Sequence, residues 1–157
     1  MTATVAAIHR YPVKGLSFQP LVRVEVKAGQ MLPQDRVYAL ALGSTQFDPA
    51  HPEWMPKTNF LMLQRDEKLA ALQTEFDPET HTLAVHRGGK QVARGKLDDA
   101  MGRAVIEQFF AAYMGEAARG KPRVVAAPGH NFSDVNRKVV SLINLASVKD
   151  LERITGA

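Results

Sequence analysis

The sequence predicts an α+β protein in which antiparallel sheet dominates. Three observations carry that expectation: strand-like alternation through the first third, tight turns joining neighbouring strand segments, and one long helical stretch beginning near residue 98. No internal repeat or low-complexity segment interrupts the pattern.

The elements follow in order. Val5, Ala7 and His9 alternate with Ala6, Ile8 and Arg10. Residues 21–27 alternate more cleanly, with Val22, Val24 and Val26 between Arg23, Glu25 and Lys27, and read as a half-buried strand. Residues 37–42 are nearly all apolar, the mark of a strand buried on both faces. Pro12 and Pro20 bracket a loop that carries Lys14, Gly15, Leu16 and Ser17, and residues 28–35 join the second and third strands. Residues 43–59, with Pro49, Pro52 and Pro56, read as a long loop, and loops of that length commonly carry function.

Residues 60–63 read as a short strand and 66–72 as a helical turn or two. A hairpin follows: 72–76, the turn Asp77-Pro78-Glu79-Thr80, then 82–86. Gly88-Gly89 turns the chain again into 91–94. The long helix is expected to start at Asp98 as N-cap, to run to Met114 and to stop at Gly115. Met101, Val105, Phe109 and Ala112 recur at helical spacing and mark its expected inner face. Residues 123–127 and 139–145 read as strands around a loop at 128–134. Ser147 is the expected cap of a helix over 148–154, closed by Gly156. The total is about eight strands.

The chain has 157 residues, enough for one full domain or one domain with part of a second. Its 45% hydrophobic and 23% charged content excludes disorder as the main state. No apolar run reaches the length of a membrane span, so no membrane partner is expected. The first ten residues lack the basic leader and apolar stretch of a secretory signal, and a cytoplasmic location is expected. Without cysteine there is no disulfide, thiolate metal site or cysteine nucleophile. The net charge is +4 and the pI near 9.5, but the basic residues are scattered and only 7% of residues are aromatic. A base-stacking platform is hard to build from that, and no nucleic-acid partner is expected.

The catalytic inventory is thin. His9, His51, His81, His86 and His130 lack metal-site spacing, and no phosphate-loop, nucleophile-elbow or dinucleotide motif is present. No catalytic residue and no metal ligand is assigned. Two features suit an anion. Lys14 sits between Pro12, which fixes the approach, and Gly15, which permits close backbone contact, and it offers an ammonium to an oxyanion. Arg36 follows Asp35 at the start of an apolar strand, as a bidentate anion ligand or as the partner of a nearby carboxylate.

The runs 8–15 (Ile-His-Arg-Tyr-Pro-Val-Lys-Gly) and 32–40 (Leu-Pro-Gln-Asp-Arg-Val-Tyr-Ala-Leu) resemble the N-terminal β-barrel domain of MOSC proteins. That family includes the mitochondrial amidoxime-reducing component and the C-terminal region of molybdenum-cofactor sulfurase. Residues 60–65 resemble the strand that follows there, and 131–134 with 140–151 resemble the opening of the MOSC domain itself. The resemblance implies a mostly antiparallel β-barrel at 1–128 and the beginning of a truncated MOSC domain at 129–157. It implies a bacterial relative of oxidoreductases that use a molybdopterin-type molybdenum cofactor. By the family pattern Lys14, Gly15 and Arg36 approach the cofactor phosphate or pterin, and Asn144 and Ser147 lie near the pterin. Many members carry serine where this chain has Gly15.

In the full-length protein the implied chemistry is reduction of N-hydroxylated small molecules, with electrons from a ferredoxin-like or flavin donor. Family members ligate molybdenum through a cysteine, and this chain has none. The chain alone is therefore expected to be inactive. The alternative is a non-catalytic β-barrel module for an anionic ligand or a protein partner, with the helix and the loop at 43–59 as its contact surfaces.

Overall fold

The structure is a computed structural model, and it describes residues 2–156. In chain order the strands are β1 (Ile8–Arg10), β2 (Gln19–Leu21), β3 (Ala39–Ala41), β4 (Leu72–Asp77), β5 (Thr82–Arg87), β6 (Lys90–Lys96) and β7 (Arg123–Val125). The helices are α1 (Ala100–Met114) and α2 (Leu145–Thr155). β1 pairs with β2, β3 with β7, and β4-β5-β6 form a meander; every pairing is antiparallel. Two isolated bridges lie outside these strand pairs, a parallel one from Val13 to Tyr38 and an antiparallel one from Ala41 to Phe60. The class is α+β with antiparallel sheets.

The meander is the part that local chemistry dictates most directly. On β4, Leu72, Thr74 and Phe76 point inward while Gln73, Glu75 and Asp77 face water, the period-two pattern of a one-sided sheet. Asp77 ties its turn by accepting from the Glu79 amide at 2.9 Å and the Thr80 hydroxyl at 2.7 Å. α1 lies over β6, and its start is fixed by the Asp99 carboxylate accepting from the Gly102 amide at 2.8 Å. At that point Gly95 of β6 faces Gly102 of α1. A Cβ on Gly102 would overlap the Lys96 backbone, coming within 2.9 Å of its carbonyl carbon. Only two glycines let the helix lie this close to the strand.

Ile106, Phe110 and Met114 of α1 enter the main core with Leu40, Leu42, Leu83, Val85 and Leu97. A smaller cluster joins Ala39, Ala41, Phe60, Val125 and Phe132.

The structure departs from the sequence-based expectations at several points. The buried stripe of α1 is Gly102, Ile106, Phe110 and Met114; its first three positions lie one residue on from the predicted Met101, Val105 and Phe109, its last lies two on from Ala112, and Met101 and Val105 are exposed. Glycine at 102 hid the first position of the true stripe. The N-cap of α1 is Asp99, not Asp98. Residues 22–27 form no strand, and Val22 is fully exposed: alternation gives a strand a face, but only a hydrogen-bonding partner makes it one. Residues 139–144 likewise form no strand among the described residues. α2 begins earlier than expected, capped by Asn144, whose side chain accepts from the Ala146 amide; Ser147 lies inside the helix. No side chain of α2 is buried.

Candidate functional site

Three stretches far apart in the chain meet beside β3. Residues 11–14 run parallel to 35–38: the Arg36 amide donates to the Tyr11 carbonyl at 2.5 Å, the Tyr38 amide to Pro12 at 3.2 Å and the Lys14 amide to Tyr38 at 2.8 Å. The Asp35 carboxylate accepts from the Tyr11 amide at 2.7 Å. The third stretch closes on the other side. Asn131 donates its side-chain amide to the Asp35 carbonyl at 2.7 Å, and the Phe132 amide donates to Arg36 at 2.8 Å. Gln34 and Arg36 both hold left-handed backbone, at φ of 63° and 49°. Non-glycine residues in that region cost of order 1 kcal/mol each, and strain of this kind collects at functional sites.

This frame buries Lys14 to 3% exposure. Its ammonium donates to the Phe132 carbonyl at 3.0 Å and to the Asp134 carboxylate, and it lies 5.9 Å from the Phe60 ring centre. Burial pushes the ammonium below its ordinary pKa, while the hydrogen bond and charge of Asp134 act against that shift. For Asp134, burial works upward, but Lys14, then Arg36 and Lys57, hold the carboxyl below its ordinary value. Arg36 is half-buried; its guanidinium pairs with Asp35 at 2.5 Å and lies 5.2 Å from the Tyr11 ring centre.

The structure brings Lys14, Gly15 and Arg36 into one place, whereas Asn144 and Ser147 make no hydrogen bond to them. Asn144 caps α2 and Ser147 sits in its first turn, both exposed, with side-chain contacts to neither Lys14 nor Arg36. Gly15 serves an internal need. At φ 80° its Cβ would stand 2.6 Å from the Leu61 carbonyl oxygen, so a serine there crowds the backbone. Sequence reasoning missed two charged members, Lys57 from the long loop and Asp134. Asp134 lies in the run 131–134, but its partner is 120 residues away and nothing local signals the pairing.

Beside the frame lies a cleft of about 460 Å³ lined by Tyr38, His81, Asp98, Arg103, His130 and Asn131 among others. That is small-molecule size. Tyr38 and His81 share a hydrogen bond of 2.7 Å across it. Burial, then the charge of Asp98, pushes the Tyr38 phenol up against the opposing pull of Arg103.

The residues present fit the two ends of a molybdopterin-type cofactor differently. A buried ammonium already matched to a carboxylate, with Arg36 and Lys57 near it, suits the phosphate end. The metal end has no thiolate in the sequence, and no cluster of metal-ligating side chains exists among the described residues. No redox step is therefore assigned to these residues.

The fold and the site define an α+β chain in which three segments bury a lysine, paired with Asp134 and the Phe132 carbonyl, beside the Arg36–Asp35 pair. No protein-family model, curated protein or solved structure matches this chain. No helix among the described residues is long and apolar enough to cross a membrane.

Proposed function

We propose that this chain is the cofactor-side part of a MOSC-type molybdenum-cofactor protein, in which residues 11–15 and Arg36 hold the phosphate end of the cofactor. One observation carries the reading: the three stretches that resemble MOSC sequences, 8–15, 32–40 and 131–134, are knit together by backbone hydrogen bonds around a buried ammonium. Isolated bridges, Val13 to Tyr38 and Ala41 to Phe60, add strand-like contacts on either side of β3. In this reading Lys14 and Arg36 supply the positive charge for the anion, and the turn at 34–36, with Gln34 and Arg36 in left-handed backbone, fixes Arg36. The cofactor, when bound, supplies two-electron chemistry toward N-hydroxylated compounds in a full-length cytoplasmic protein with a ferredoxin-like or flavin donor.

A second reading, a non-catalytic module for an anionic ligand or a protein partner, is favoured by the exposed Met101 and Val105 on α1. Titration with a phosphorylated pterin, followed by amide shifts, separates the two. Shifts clustered at Lys14, Gly15 and Arg36, and lost in Lys14→Ala and Arg36→Ala, support the cofactor reading. Shifts confined to α1 or to residues 43–59 overturn it in favour of the module.

A further inference from the structure

We propose that Asp134 occupies the oxyanion position of this site, and that a phosphate-type ligand binds by displacing its carboxylate from Lys14, with Arg36 beside it. The inference rests on the reading of the site as an oxyanion pocket and adds what fills that pocket in the free protein.

The two carboxylates at the site have opposite characters. Asp35 is buried and doubly committed, to the Tyr11 amide and to Arg36, and so belongs to the frame. The Asp134 side chain is 59% exposed, and its hydrogen bond is the one to Lys14. Its neighbour Ser133 is held independently: the Trp54 indole donates to the Ser133 carbonyl at 3.2 Å, and the Ser133 hydroxyl donates to Val135 at 2.6 Å. A rotation of the Asp134 side chain therefore releases Lys14 without disturbing the backbone.

Lys14 cannot be left alone, because a buried ammonium with only the Phe132 carbonyl for company lacks a counter-charge. Whatever removes Asp134 must bring its own negative charge. Lys14, Arg36 and Lys57 all bear electrostatically on the point where the Asp134 carboxylate sits. Arg36 spends only one guanidinium nitrogen on Asp35. A phosphate group offers more acceptor oxygens and more charge than a carboxylate to the same donors. The long loop thereby gains a role: it clamps the 133 backbone through Trp54.

Inorganic pyrophosphate is the probe, titrated at neutral pH into the whole chain and into Asp134→Asn. Asparagine keeps the shape and one acceptor for Lys14 but removes the competing charge. The expected result is about tenfold tighter binding in the variant, with shifts at Gly15 and Arg36 in both proteins. In the unsubstituted chain, the Asp134 carboxyl is also expected to titrate nearer its ordinary value of 3.8 when pyrophosphate is present, read by side-chain carbon shifts. Binding in Asp134→Asn that is equal or weaker, or an Asp134 midpoint that does not move, overturns displacement while leaving the pocket itself standing. Absence of any shift at Gly15 and Arg36 in either protein overturns the oxyanion pocket and this inference together.

Discussion

Gly102→Ala sets two effects of opposite sign against each other. In an ordinary helix interior, glycine to alanine gains about 1 kcal/mol from backbone entropy. At Gly102 the added methyl meets the Lys96 backbone, with its carbonyl carbon at 2.9 Å. That obstacle cannot rotate away as a side chain can, because Lys96 is the last residue of β6 and pairs with Thr82 of β5. The helix must retreat instead, carrying its own Asp99 cap with it and loosening Ile106 and Phe110 in the core. Overpacking against rigid neighbours reaches about 3 kcal/mol. The propensity gain of about 1 kcal/mol offsets part of that. The expected net loss is about 2 kcal/mol. For a chain of this size that lowers the melting temperature by roughly 4–8 °C. Thermal unfolding followed by far-ultraviolet circular dichroism measures it. A variant that melts at or above the parent temperature would refute the close-approach argument.

Two further predictions concern stability. Asp99→Ala removes the α1 cap and is expected to cost about 1 kcal/mol, whereas Asp98→Ala costs far less; equal losses in urea unfolding would place the cap wrongly. His130 is held below its ordinary pKa of 6.5 by burial and then by the charge of Lys138. The unfolded chain therefore takes up the proton more readily than the folded one, so stability is complete above pH 6.5 and falls as the pH drops through the folded value. His130→Gln is expected to flatten the melting-temperature profile between pH 7 and 5, and an unchanged slope there counts against the assignment.

The legible parts of the fold are those whose information is local. The β4-β5-β6 meander is written in period-two patterning and in two turns, one centred on Asp77 and one on Gly88-Gly89. The span of α1 follows from an aspartate start and a glycine stop, but its buried face does not. Phe109 and Phe110 are equally apolar, and only the position of Gly95 decides which one turns inward. The site divides the same way. Lys14 and Arg36 stand out because proline, glycine and aspartate flank them in sequence. Asp134 and Lys57 do not, because their significance exists only across the folded frame. Residues 22–27 carry the opposite lesson: a strand pattern without a partner stays exposed chain.

The hydrogen bond from Lys14 to Phe132 spans 118 residues, and that span has a kinetic meaning. Contacts of long sequence separation must first overcome the entropy of closing a large loop, so they form late. The hairpins and α1 need no such closure. During synthesis, at roughly 5–20 residues per second, the lysine waits on the order of ten seconds before its partner segment exists. Through that interval the ammonium stays hydrated, and its desolvation comes only when residues 131–134 dock. Burial of Lys14 is thus a late event in the folding of the chain, after the hairpins and α1 have formed on their own.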